Sequence, residues 1–494
     1  MSLFDKINKF IETRRKMKTI RYITYLIVIF TLLLGACTPA GAAISTVSTD
    51  TTEETTSSVT QETAPNVSAE NMSYPPPGAG TGSSSMEAGL STATGAYTLN
   101  GGAASESNQT YTASSEDQSG VYVTDGGTLT LDNVTVATSG NTSSDENSSF
   151  YGLNAGVLAA SASSVTMNGG TISTTGTGAN GAFATGEGTV VNLSDVTINA
   201  TGDGGHGVMA TLGGEMNLTN VDMTTSGAHS APIATDRGSG TINATGGMLN
   251  TSGQDSPCYY STGVLNISNS TCIATGSESV VIEGADSVIL TESSLTSSVA
   301  DKWGVMIYQS FSGDADGSDG VFTMTGGALA HTDANGPLFY VTNTTGHITL
   351  NGVDVTTASG ILIQAEGNDR WGTSGSNGGT VVLVADAQTL SGDLAADNIS
   401  SISVTLQNGS SLTGAINAEN TANEINLILD SSSTWTVTAD SYLSFLTDPD
   451  GISGTSITNI IGNGYTVYYN ATLCTELGGQ TYTLSGGGTL APLE

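Results

Sequence analysis

The chain has 494 residues, of which 64 are glycine and only 6% are aromatic, so it lacks the bulky side chains that one large globular core of this length would need. Seven of its ten basic residues lie between Lys6 and Arg21, and from residue 38 onward 43 acids face only Arg237, Lys302 and Arg370. A surface of that sign repels phosphate backbones and anionic headgroups, which excludes nucleic acid as a partner and leaves cations and neutral sugars.

Residues 1–36 carry a basic stretch and then an apolar run from about Tyr22 to Leu34. The run is too short for a comfortable membrane span and ends in small residues, the pattern of a secretory signal, and the segment before Met17 adds nothing that the signal needs. Leu34-Gly35-Ala36-Cys37 resembles a bacterial lipobox. That resemblance implies lipidation of Cys37 and an extracytoplasmic protein held at the bacterial cell surface or membrane by its lipid alone. Residues 37–85 are rich in Thr, Ser, Glu and Pro without apolar periodicity, and are expected to form a disordered tether.

From residue 86 to about 440 a line of some two dozen residues recurs. Its first strand starts at Gly120, Gly156, Gly181, Gly207, Ala231, Pro257, Val280, Gly304, Leu338 and Gly360, mostly 22–26 residues apart, with longer steps of 36 after Gly120 and 34 after Gly304. A second strand follows each time, as in "LTLDN", "VNLSD", "MNLTN" and "FTMTG", and a short third ends near Ala-Thr or Thr-Thr. Alternation with β-branched residues, broken by Gly, Asn and Asp, specifies strands. The cadence "GVYVTDGGTLTLDNVTV" resembles right-handed parallel β-helix proteins of the pectin-lyase-like kind, especially adhesin-like and autotransporter-passenger-like surface proteins, over roughly residues 95–440. The resemblance implies an all-β solenoid with three short strands per coil, a scaffold shared by enzymes and adhesins. Residues 441–494 are expected to close it with regular coils and a cap around "GYTVYYNATL".

Within the first strand the residues after the leading glycine (Val121, Val157, Ala182, Val208, Val281, Val305, Ile361) alternate with a middle column of Tyr122, Leu158, Phe183, Met209, Ile233, Tyr259, Ile282, Met306, Tyr340 and Leu362. Placing the former inward turns the latter into an exposed apolar stripe suited to binding or self-association, and the opposite choice of faces makes it the core. On the second strand Thr130, Thr166, Asn192, Asn217, Thr241, Asn266, Thr323 and Thr349 form an outward ladder, which raises ice or crystalline-surface binding as a further class. Cys258 and Cys272 both point inward, either bridged across one coil or as two buried thiols, and Cys474 has no evident partner.

An enzyme on this scaffold would be a polysaccharide lyase or glycoside hydrolase. "GGHGV" at residues 204–208 resembles the Gly-His-Gly element of polygalacturonases, with His206 in the matching place and His229 one coil on. The paired aspartates that glycosidic hydrolysis needs are missing from the preceding strand, and three bases leave little for lyase chemistry. The reading favoured is therefore adhesion or surface structure, with glycans or other cell-surface molecules as partners.

Two insertions mark the expected site. "SFSGDADGSDG" carries Asp314, Asp316 and Asp319 in a calcium-loop-like arrangement, and "AEGNDRWGTSGSNGG" carries Asp369, Arg370 and Trp371 at the same turn two coils on. Lys302 and Trp303 lead into the same region from the opposite end of a strand. Tryptophan with charged hydrogen-bonding neighbours suits a sugar ring.

Overall fold

The structure is a computed structural model that describes residues 86–312 and 315–493. The signal segment, Cys37, the tether and Asp314 lie outside the described residues. The rest is all-β, a parallel solenoid of about 16 turns. One sheet gathers the first strand of twelve coils, a second of 22 strands gathers the second and third, and a nine-stranded sheet continues the stack toward the C-terminus.

One coil shows why the sequence folds this way. Val208–Thr211 lies parallel between Ala182–Thr185 and Ile233–Asp236, and Glu215–Thr219 lies between Val190–Ser194 and Thr241–Thr245. In the second strand Met216 and Leu218 point inward and are buried, while Glu215 and Asn217 face out half-buried. The turn from second to third strand needs one residue in the left-handed region, and Asn133, Gly169, Asp195, Asn220, Gly246, Asn269, Glu292, Gly326 and Gly352 all adopt positive φ there. Glycine, asparagine and aspartate tolerate that region, which explains why they follow the second strand so regularly. Glu292 (φ 47) departs from the rule and its side chain is exposed. Glu292→Asn is expected to raise stability by about 0.5–1 kcal/mol, read as a higher urea midpoint; an unchanged or lower midpoint would show that Glu292 bears no strain.

The inward column stands as expected at Val121, Val157, Ala182, Val208 and Val305, each 0% exposed and part of one continuous core. The middle column is corrected in two respects. Its register is off by one residue at Ile233, Tyr259 and Ile282 and by two at Leu362, where the pairing runs Met209, Ala234, Tyr260, Val281, Met306, Tyr340, Gln364. Ile233, Tyr259, Ile282 and Leu362 therefore belong to the core, and Val281 faces outward. The stripe is also not exposed: Leu158, Phe183 and Met209 are at most 1% accessible. The long step after Gly120 contains the helix Asp145–Tyr151, capped by Ser144, and the stripe is closed over beside Phe150 and Tyr151, each 7% exposed. The hydroxyls of Thr185 and Thr211 donate to Phe150 O at 3.2 and 2.7 Å, and Arg237 lies 3.7 Å over the Phe150 ring. An apolar outer face this long is covered by the chain's own insertions and offers no open patch there.

On the second strand Asn243, and not Thr241, continues the ladder. Asn217, Asn243 and Asn266 each donate to the asparagine one coil before, at 3.1, 3.0 and 2.9 Å. Cys258 and Cys272 are bridged, tying the first and third strands of one coil through the interior, and Cys474 is a buried free thiol. The last coils end in an antiparallel pair, Tyr482–Ser485 with Thr489–Leu493, while Thr466–Asn470 remains a parallel rung of the stack.

Candidate functional site

Where the outer face of the first sheet passes Val281, Met306 and Tyr340, a second apolar cluster forms, joined by Tyr260, Tyr308, Trp303 and Trp371. Trp303 stacks flat on Tyr340 with ring centroids 3.9 Å apart, and Trp371 tilts against Tyr308 at 4.7 Å. Both tryptophans stay half-exposed. Arg370 places its guanidinium 4.8 Å over the Trp371 ring. The structure thus brings together Trp303, Arg370 and Trp371 from segments more than sixty residues apart.

The loop bearing Trp371 is rigidly built. Asn368 Oδ1 accepts the backbone N–H groups of Arg370 and Trp371 at 2.8 and 2.5 Å, and its Nδ2 donates to Thr342 Oγ1 at 2.7 Å. Buried Asn377 donates to the carbonyls of Asn368 and Trp371, both at 2.6 Å. Asn343, on the intervening coil, donates to Gln309 O at 2.6 Å, and a β-carbon at Gly372 would touch its side chain. The two insertions therefore meet at Asn343.

Beneath the first insertion lies a group with no signal in the sequence. Glu283 is 2% exposed, and its Oε2 accepts from Tyr260 and Tyr308 hydroxyls at 2.8 and 2.6 Å. Oε1 accepts from Ser310 and, at 3.5 Å, from Ser312. Four hydroxyls thus satisfy a buried carboxylate. Burial, and then the Glu283 charge, push both tyrosines well above their ordinary range. Nearby Asp286 is pushed up to about 7 by desolvation first, then by Glu283 and Asp316.

The remaining expected residues part ways. Lys302 is committed to an ion pair with Asp255, with Glu278 at 4.0 Å, at the corner that leads into the strand. Asp316 and Asp319 are exposed, and Asp319 lies 3.5 Å from His347. Among the described residues no group of three acidic, histidine or cysteine side chains converges to hold a metal. Asp369 is exposed on the wall of a cleft of about 420 Å³, lined also by Tyr340, Glu366, Asn368 and Asp397. A further open cleft of about 570 Å³ shares Glu366 and Asp397 with it and continues along the stack past Gln364 and Asn420.

His206 has a structural role: its Nδ1 accepts the backbone N–H of Ala231 at 3.0 Å, and desolvation lowers its pKa to about 4. His229 is exposed at positive φ.

The chain matches no known protein family, no curated protein and no solved structure.

Proposed function

We propose that this is an extracytoplasmic, lipid-anchored surface protein of adhesin-like character that binds glycans at the cluster of Trp303, Arg370 and Trp371 and along the adjoining cleft. The observation that carries this reading is that Trp303 and, from a hydrogen-bonded loop, Arg370 and Trp371 join one half-exposed aromatic cluster next to an open cleft lined with carboxylates and amides. Indole faces take the apolar face of a sugar ring, and the polar wall takes its hydroxyls. With Glu366, Asp369 and Asp397 on the wall, neutral or amino sugars suit the cleft better than uronates. Calcium is proposed as an optional ligand of the insertion that carries Asp314, Asp316 and Asp319.

The test is a glycan panel with neutral, amino and uronic oligosaccharides, with and without calcium. Trp371→Ala is expected to weaken binding by about tenfold or more, the loss of roughly one stacked ring, with an unchanged circular dichroism spectrum. Calcium should raise the thermal midpoint of the wild type and not of Asp316→Ala/Asp319→Ala. Undiminished binding by Trp371→Ala would remove the site. New reducing or unsaturated ends released from the panel would replace adhesion by the polysaccharide lyase or hydrolase alternative.

A further inference from the structure

Asp448 follows the strand Phe445–Thr447 in the last coils and is 2% exposed; Asn459, on Ser456–Ile461, is 8% exposed. Their side chains face one another. Asn459 Nδ2 donates to Asp448 Oδ1 at 2.9 Å, and the same oxygen accepts the backbone N–H of Gly451 at 3.0 Å. The other two oxygens, Asp448 Oδ2 and Asn459 Oδ1, are buried without any donor. Both lie against Gly451, where a β-carbon would stand 2.3 and 2.0 Å from them.

Two buried acceptors side by side repel each other, the more so if one carries a full charge. A cation, a bridging water or a proton shared between them relieves that repulsion. A calcium ion takes six to eight oxygens and magnesium a full octahedron. Here the Gly451 α-carbon closes one side, and the only other carboxylate on the loop, Asp450, is exposed. A proton needs no further ligands.

We propose that Asp448 is held as a carboxylic acid whose Oδ2–H donates to Asn459 Oδ1, closing a two-bond acid–amide pair that latches the C-terminal coils and releases them as pH rises. Burial favours the neutral form and outweighs the opposing hydrogen bonds from Asn459 and Gly451, and the Asp450 charge acts in the same direction as burial. The strand Ser456–Ile461 brings no titratable side chain. From the following coil comes Cys474, whose Sγ donates to Leu446 O at 3.5 Å. The sign follows from the raised pKa. The latch is complete below the ordinary carboxylate range and is lost as pH climbs through the folded-state value.

Asp448→Asn is the discriminating variant, because asparagine keeps Oδ1 and places an N–H where the acid holds its proton. The readout is the rate at which a disulfide reagent modifies Cys474 in the full chain, followed by peptide mass spectrometry so that Cys37 does not interfere. The wild-type rate is divided by the variant rate at each pH from about 4 to about 9, a range that spans the ordinary carboxylate pKa and lies mostly above it. That ratio should be near one at the acid end and climb with pH, by up to about tenfold for each unit by which folding raises the pKa. Neither chelator nor calcium should change it. Asp448→Ala, which loses both bonds, should label fast throughout. An Asp448→Asn chain that fails to fold, or labels faster than wild type at every pH, would mean that the site needs an ionised carboxylate. Faster wild-type labelling in chelator would assign the two oxygens to a metal ion. Either result overturns the proposal.

Discussion

Val208→Asp should open the middle of the stack, whereas Met209→Asp should strip its cover. Val208 is 0% exposed and faces the core between Ala182 and Ile233 on the neighbouring coils. A carboxylate there has no partner and no route to water that keeps the coil closed, so the cost is expected on the order of 4–5 kcal/mol. Met209 is equally buried but faces the other way, between Phe183 and Ala234, in the cluster that also holds Leu158. An aspartate at that place reaches water if the segment around Asp145–Tyr151 lifts away, and the loss is then the burial of one methionine with its contacts, about 2–3 kcal/mol. Hydrogen exchange separates the two. Val208→Asp should expose amides of the strands around residues 182–236, and Met209→Asp those of residues 145–152 with the strands still protected. Equal protection of residues 145–152 in both variants would show that the cover is not held by the stripe.

The two strand types explain what the sequence could and could not reveal. The second strand alternates cleanly because one of its faces meets water, so Met216 and Leu218 declare themselves core against Glu215 and Asn217. The first strand is buried on both faces in Val157–Ala160, Ala182–Thr185, Val208–Thr211 and Val280–Glu283, and a stretch buried on both faces carries no clear period. A slip of one residue then passes unnoticed, which is how Ile233, Tyr259 and Ile282 came to be aligned with Met209. The cover was visible only as the long step after Gly120, since spacing shows that residues are inserted and not where they fold. In the candidate site Trp371 and Trp303 were legible as rare aromatics near insertions. Tyr260, Tyr308 and Glu283 carry no such mark in the sequence. Only the register, which sets Glu283 beside Tyr308 on the next coil, shows that their hydroxyls meet a buried charge.

A single methyl group at the third corner should also divide the solenoid. Gly176, Gly202, Gly227, Gly253 and Gly276 stack above one another, and a β-carbon on each would lie 1.8–2.3 Å from the carbonyl oxygen of the glycine one coil away. None of them has a positive φ, so the requirement is closeness of backbones and not an unusual dihedral. Coils are spaced by the strand separation of about 4.8 Å, which leaves no room for a methyl aimed along the stack. At Gly227 the added atom would meet both the oxygen and the carbon of Gly202, at 2.2 and 2.4 Å, and backbone whose carbonyl is already held by the Ser230 hydroxyl at 3.0 Å yields less readily than a side-chain tip. Gly227→Ala should therefore cost about 3 kcal/mol or more, at the upper end of overpacking. Because each coil is stabilised mainly by its neighbours, the damage should be local and break cooperativity between the two sides. Urea unfolding is expected to change from one transition to two, with limited proteolysis cutting near residue 227 before either side is lost. Gly352→Asn is the matched control, since Gly352 has positive φ, nothing within 4 Å of its β-position, and a corner role that asparagine fills elsewhere. It should unfold as wild type does. If Gly227→Ala also keeps a single transition at the wild-type midpoint, the corner relaxes freely, and the glycine column reflects composition and not packing.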